Sequence, residues 1–482
     1  MADVTIASLR LPVSKMPPAL STSRHLLTAA SLLLLTACST TRPWLNDAIA
    51  PASPTPAASV FGTPATAPAH AAVPSMVSAV TLSGGGARAA AFGLGVLQEL
   101  KATRFTWDGR ETNLLDEIGL ISGVSGGSVL ATYYAAFGDE VFTRFESDFL
   151  LVNFQSGLVE RALSPGTLYR LTSPWFGRSN VFAERLDKVF RGMTFGDLQK
   201  LPERPRLLVT ATDLTTGAPF EFTAEQFALI CSDLNSVPLS QAVAASSAVP
   251  ILLSPVTLRN HAGSCPQSEQ VATAAPAEGN YQAQLLHANA QSYLDVQERP
   301  FLHLVDGGLS DNLGVRGLLD RSIAGGSLDD SFKGLPAGSL RKIVLISVNS
   351  ERDTAERIDR SDFVPSTGQV LDALIFGAGS RATKETLAIM SDNARRWTQE
   401  LMASRGREGS PFAPDAQIHV INVSLRDVRD PELRRSLLHV PTALTILPLH
   451  VRQLQAAGRT ALRESPEFQQ LRQSLGLSPD QP

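Results

Sequence analysis

The segment Ile121-Ser122-Gly123-Val124-Ser125-Gly126-Gly127-Ser128 sets one serine in a G-x-S-x-G frame, between an apolar strand-like run and an alanine- and valine-bearing helix-like run. Few folds accommodate such a junction. A serine at so sharp a strand-to-helix turn needs neighbours that lack a Cβ, because a methyl at Gly123 or Gly127 crowds the adjoining backbone and buries the hydroxyl. The Oγ then stands above the first turn of a helix. There the leading N–H groups have no intrahelical partner and the dipole is positive, so negative charge developing on a reacting oxygen is stabilised. Taken alone, the frame equally describes a glycine-rich turn that happens to contain serine.

Two further segments narrow the reading. Upstream, the apolar run from Val77 to Leu82 reads as a strand, followed by Ser83-Gly84-Gly85-Gly86-Ala87-Arg88 and the helix-favouring stretch Ala89 to Leu100. Strand, glycine loop and helix together make an anion cradle: consecutive N–H groups approach a bound oxygen closely, and Arg88 adds a fixed positive charge. Downstream, Phe301-Leu302-His303-Leu304-Val305 reads as a strand ending in Asp306-Gly307-Gly308, a carboxylate in a tight turn at a strand's C-terminal edge. A lone GGGxR or DGG carries little; their order around the serine frame carries the signal.

In that order the segments resemble the patatin-like phospholipase family, whose pattern is a GGGx(K/R) loop, then GxSxG, then DG(G/A). The matching residues are Gly84 to Arg88, Gly123 to Gly127 with Ser125 between Val124 and Gly126, and Asp306 with Gly307 and Gly308. Ala211 to Gly217 and Ala245 to Pro250 are similar to that family's connecting segments, and the likeness runs from about Val77 to about Asn349. The resemblance implies a Ser-Asp dyad that hydrolyses acyl esters of phospholipids or lysophospholipids. Ser125 is then the nucleophile that forms the acyl-enzyme, Asp306 its base, and the Gly84 to Gly86 backbone with Arg88 the oxyanion hole. One departure is Ala89, where many relatives carry glycine.

A dyad without histidine places a demand on Asp306. An ordinary aspartate titrates near 3.9, a poor match to an alcohol at neutral pH, so a partly desolvated carboxyl with a raised pKa is expected. The rival arrangement is a Ser-His-Asp esterase, with His419, His439 or His450 following Ser125 and Asp306 in the chain order of α/β-hydrolases. His419 lies in an alternating apolar run, and the other two lie in leucine-rich, helix-like surroundings.

The N-terminal region has its own pattern. Arg24 precedes the apolar stretch Leu26 to Ala37, ending Leu35-Thr36-Ala37-Cys38, which resembles a bacterial lipoprotein signal. It is too short to span a bilayer, which takes about 20 apolar residues. The resemblance implies removal of residues 1–37 (numbered from Met1, with Met16 an alternative start), acylation of Cys38, and an anchor in the cell envelope. Ser39 after the cysteine is similar to the outer-membrane sorting class, facing the periplasm. An ordinary signal peptide with an incidental cysteine is the competing reading. From Cys38 to Met76 the chain turns to alanine, proline, serine and threonine and is expected to be a disordered tether, leaving residues 77–482 as the catalytic domain with its core at about 77–350.

With 43% hydrophobic residues in 482, the chain can fill a large core, and strand-helix alternation persists to the end. This points to one α/β domain: a three-layer α/β/α fold with a mostly parallel central sheet and an added C-terminal strand and helices. In such sheets ligands bind at the strands' C-terminal ends, where Ser125 and Asp306 both fall. A net charge of −4 with no basic block argues against nucleic acid. No metal-ligand spacing or dinucleotide fingerprint is present, so no cofactor or bound metal is expected, with calcium dependence left open. Cys231 and Cys265 are a candidate disulfide pinning the insertion from Arg259 to Pro300, with two free thiols as the alternative. The apolar region from Phe149 to Phe176 is either core or an acyl pocket or lid. A lipoprotein that binds lipid or protein without turnover is the alternative function.

Overall fold

The computed structural model describes residues 39–49, 74–266, 278–352, 361–373 and 378–478. Its strands are β1 (Met76–Leu82), β2 (Arg104–Trp107), β3 (Arg110–Asn113), β4 (Leu120–Val124), β5 (Arg206–Asp213), β6 (Pro219–Glu221), β7 (Val256–Arg259), β8 (Phe301–Val305), β9 (Leu340–Asn349) and β10 (Phe412–Ser424). β2 and β3 form a separate hairpin; the others make one eight-stranded sheet in the order β10-β9-β1-β4-β5-β8-β7, with β6 on β5. The run from β10 to β5 is parallel, while β6, β8 and β7 join through antiparallel pairings.

Both faces of this sheet are covered, which is why its central strands read as continuous apolar runs. Along β1, Met76, Val80 and Leu82 face one core, and Val77 and Ala79 face the other. The first core lies under the Gly86–Ala102, Gly126–Phe137 and Pro448–Glu464 helices, the second under the Arg316–Ala324 and Ala378–Ser404 helices. The result is the three-layer α/β/α architecture that the element order implies. The Gly86–Ala102 and Pro448–Glu464 helices approach so closely that a Cβ at Gly95 would sit 2.0 Å from the Gln455 carbonyl oxygen. The glycine pair at 93 and 95 is therefore a packing feature.

Several expectations shift. The strand-like run before the serine frame is β4, which begins only at Leu120, because Asn113 Oδ1 takes the Asp116 N–H at 3.0 Å and holds 113–117 as a turn. The helix that follows Asp306-Gly307-Gly308 begins at Arg316. The β2–β3 hairpin, β7 and the Tyr281–Ser292 helix inside the long insertion were not foreseen. Within the candidate lid, Phe149, Leu150, Phe154 and Phe176 are core, with Phe149 ringed by Phe145 and Phe154, while Leu151 and Trp175 are exposed.

The expected tether needs the larger correction. Cys38 and residues 1–37 and 50–73 lie outside the described residues, but 39–49 form a strap seated on the domain. Ser39 is 2% exposed and donates its N–H to Thr172 Oγ1 at 3.0 Å, and Ser173 Oγ donates to the Thr41 carbonyl at 2.7 Å. Trp44 packs on the first core. The Asn46 side chain donates to Ser232 Oγ and the Arg259 carbonyl and accepts the Arg259 N–H, and Ala48 bridges Ser232. Composition missed this because one tryptophan and one asparagine, not a periodic apolar pattern, make the fit.

Cys231 and Cys265 form a disulfide, with Cα atoms 5.6 Å apart, and it ties together the two segments that receive the strap. The bridge closes a loop of 34 residues, so Cys265→Ser is expected to lower unfolding free energy by about 4 kcal/mol in the chain-entropy account. Denaturant midpoints of the oxidised wild type and the variant measure this; coincident curves would show that the bridge contributes nothing.

Candidate active site

β4 ends at Val124 and a helix begins at Gly126, so Ser125 alone makes the turn. Its backbone sits at φ 50° and ψ −121°, a conformation L-residues seldom adopt and one that costs on the order of 1–3 kcal/mol. Two neighbours hold it there. The Ser125 N–H donates to Ser246 Oγ at 2.8 Å, and Ser246 Oγ donates to the Thr210 carbonyl at 2.6 Å. The Ser125 carbonyl accepts the Ser128 hydroxyl at 2.6 Å. Gly126 then meets the glycine loop directly: a Cβ there would lie 2.1 Å from the Gly86 carbonyl oxygen. No other residue allows the serine turn and the loop to come so close.

Asp306 arrives by an unexpected route. β8 runs antiparallel to β5 and overlaps it only at Thr212–Val305 and Asp213–Leu304. It therefore enters from beyond the C-terminal edge of the parallel strands and ends beside that edge, delivering Asp306 next to Ser125. The Asp306 N–H donates to the Ala248 carbonyl at 3.0 Å, and its own carbonyl accepts Thr212 Oγ1 at 2.9 Å. Oδ1 accepts the Gly308 N–H at 2.8 Å, and the carboxylate shares its cavity with Ser125. Gly307 turns the chain against the Thr210 carbonyl. Burial raises the Asp306 pKa to about 6, with the Gly308 and Ser125 hydrogen bonds pulling the other way.

The glycine loop divides its labour. The Gly84 N–H is taken by the Asn312 carbonyl at 2.9 Å, and the Ala87 N–H by the Ala443 carbonyl at 2.8 Å. Gly84 thus positions the loop and is not the oxyanion donor the resemblance implies. Gly85 and Gly86, at the head of the Gly86–Ala102 helix, remain the candidate donors, and Gly85 adopts φ 141° to present them. Arg88 is anchored as well. Its buried guanidinium gives Nε to the Ser350 carbonyl at 2.9 Å and Nη1 to the Val440 carbonyl at 2.7 Å and Thr442 Oγ1 at 3.3 Å, and the residue also lines the cavity that holds Ser125. Burial first, then the neighbouring Arg352, lowers its pKa to about 9, with Glu351 opposing. It braces the loop and supplies positive potential from behind.

Ser125 and Asp306 open into a cavity lined also by Gly85, Val249, Asn312, Glu351 and Ser380. A patatin-like phospholipase model matches residues 80–319, which contain the serine turn, the aspartate and the glycine loop. Residues 80–319 thus form a patatin-like phospholipase domain. Among solved structures, the chain is similar to human GIVD cytosolic phospholipase A2 at 13% identity, over 84% of this chain and 60% of that one, with a TM-score of 0.41. The same human enzyme in complex with methyl gamma-linolenyl fluorophosphonate gives 13% identity, 84% and 60% coverage, and a TM-score of 0.39. The chain thus spans about three-fifths of the length of these neighbours. No curated protein sequence matches.

No histidine lines the cavity of this patatin-like domain among the described residues. His419 faces Ser474 Oγ at 3.3 Å, with its pKa lowered to about 4 by burial and Lys342, and His439 Nδ1 engages the Arg435 carbonyl. The structure therefore offers nothing to the triad alternative. Three supports escaped the sequence reading: Ser246, Asp311 and Asn312. Asp311 is buried and accepts the N–H groups of Leu313, Gly314 and Arg316, which is what delays the helix to Arg316. The signal was present as Asp311-Asn312 in the turn after Asp306-Gly307-Gly308, a pair that favours such side-chain-capped turns.

A buried carboxyl that titrates near 6 when folded and near 3.9 when unfolded holds its proton more tightly in the native state. Stability therefore falls as pH rises from about 4 to about 6, with a cost of roughly 3 kcal/mol above that window. Asp306→Asn removes the cost. The variant is expected to unfold at higher denaturant than wild type at pH 7.5, with the gap closing by pH 4; a gap independent of pH would contradict this.

Proposed function

We propose that this chain is a serine lipid acyl hydrolase of the phospholipase A or lysophospholipase type. The observation that carries the proposal is the placing of the strained Ser125 in one cavity with a buried Asp306 carboxylate whose pKa has moved toward neutrality. Asp306 removes the hydroxyl proton as Ser125 Oγ attacks the ester carbonyl. The N–H groups of Gly85 and Gly86, at a helix N-terminus, hold the resulting oxyanion, and the alcohol leaves with the proton from Asp306. Water then repeats the sequence on the acyl-enzyme, with Asp306 again as base. The patatin-like phospholipase match over residues 80–319 supports a lipid ester as substrate. A binding protein without turnover has no use for a backbone strain of this kind at a serine facing a carboxylate.

The test is labelling by a fluorophosphonate and turnover of a phospholipid and lysophospholipid panel. Ser125→Ala should lose both, and Asp306→Asn should lose on the order of 10²–10⁴-fold in rate, the range for general-base catalysis. In wild type the rate should rise with pH, with its midpoint near 6, as Asp306 deprotonates. Labelling of Ser125→Ala, or a rate insensitive to pH between 5 and 7, would count against the dyad.

We further propose, from the N-terminal sequence, that Cys38 is acylated and anchors the domain to the periplasmic face of the outer membrane. Several acyl chains on one residue give firm attachment where a single chain gives only marginal binding. Palmitate incorporation in cells should vanish in Cys38→Ala; label retained by that variant would remove the proposal.

A further inference from the structure

The strap reaches the domain at a particular place. Ser39 lies against Thr172, just past the Pro165–Arg170 helix, and Arg42 stacks on the Trp175 ring with its guanidinium carbon 3.3 Å from the centroid. Around this point the surface is apolar: Leu163 is 64% exposed, Tyr169 53%, and Leu168 and Trp175 close to half. Single exposed apolar side chains are ordinary, but here they group on one short helix and its flanks. The group extends through the contact of Arg178 with the Ile251 carbonyl to Ile251 and Leu252, which is 64% exposed. Two residues before Ile251, Val249 lines the cavity that holds Ser125 and Asp306. The chain entry point, the apolar surface and the wall of the cavity are thus continuous.

We propose that this surface rests in the interface of a phospholipid bilayer, and that the strap fixes the domain in that pose instead of letting it swing on a tether. What identifies the occupant is the sequence that enters at Ser39. This inference rests on the proposed acylation of Cys38: the acyl chains would then leave the fold beside Thr172, one residue before Ser39. A bilayer is held there from the outset, and the apolar side chains lie next to it. Tyr169 and Trp175 are residue types that settle at the headgroup level, and Arg42 over Trp175 sets a cation at the same depth. Strap rigidity comes from the Asn46 hydrogen bonds and the buried Ser39, so the orientation is built into the fold.

The experiment leaves hydrolysis aside, so it fails or succeeds apart from the dyad. The photoreactive residue benzoylphenylalanine is placed at Leu168, Leu252 or Arg395, the last an exposed position on the Ala378–Ser404 helix over the opposite core. The full chain, with Ser125→Ala to keep lipids intact, is irradiated in vesicles of phosphatidylethanolamine and phosphatidylglycerol. Phospholipid adducts are expected from positions 168 and 252 and only background from 395. Equal yields at the three positions, or adducts to protein in place of lipid, overturn the surface. Asn46→Ala, with Arg42→Ala as a milder release, should bring the yield at 168 down toward that at 395; an unchanged yield in both overturns the role of the strap.

Discussion

A carboxyl group buried against a hydroxyl is the interaction on which the rest of this structure depends. Water is the better solvent for Asp306, and withdrawing it from water is what moves its pKa to about 6. A more exposed carboxylate would be more stable and a weaker base. The fold opposes that destabilisation with fixed donors, the Gly308 N–H and the Ser125 hydroxyl, and with a chain path that leaves Asp306 nowhere else to go. The serine is also held at a cost, in a backbone conformation that only its neighbours enforce.

Much of the surrounding architecture registers separate pieces of chain to one another. Ser246 couples the serine turn to β5. Asn312 couples the turn after Asp306 to the glycine loop through the Gly84 N–H, and its side chain lies against both Gly84 and Gly308. Asp311 fixes that turn with three backbone donors, and burial raises its pKa to about 7, so the turn rests on a carboxyl held in an unfavourable setting. Arg88 closes the arrangement from the far side, joining the loop to the chain after β9 and to the segment before the Pro448–Glu464 helix. Residues well beyond 319 thus complete a site whose reacting groups all lie within the patatin-like match.

The N-terminal strap and the Cys231–Cys265 bridge act on the opposite flank. The bridge joins the two segments that grip Asn46, and the strap seats Ser39 at a definite place on the surface. Neither touches the reacting groups. Their effect is on presentation: which face of the domain meets whatever the N-terminus is attached to.

The fold class, the serine, the aspartate and the glycine loop were legible in the sequence because each is a local signal. A strand-to-helix turn without Cβ atoms, a carboxylate closing a strand and alternating apolar runs state their geometry within a few residues. What the sequence left unstated depends on chain segments far apart. That Gly84 spends its N–H on Asn312, that Arg88 is tied to Val440, that β8 arrives antiparallel, and that residues 39–49 pack as a strap are all settled by partners between about 90 and 350 positions away. By itself the sequence determined which groups this protein has for chemistry. Only the tertiary structure decided which hydrogen bonds they keep free for it, because each backbone donor has one hydrogen to give and packing chooses the acceptor.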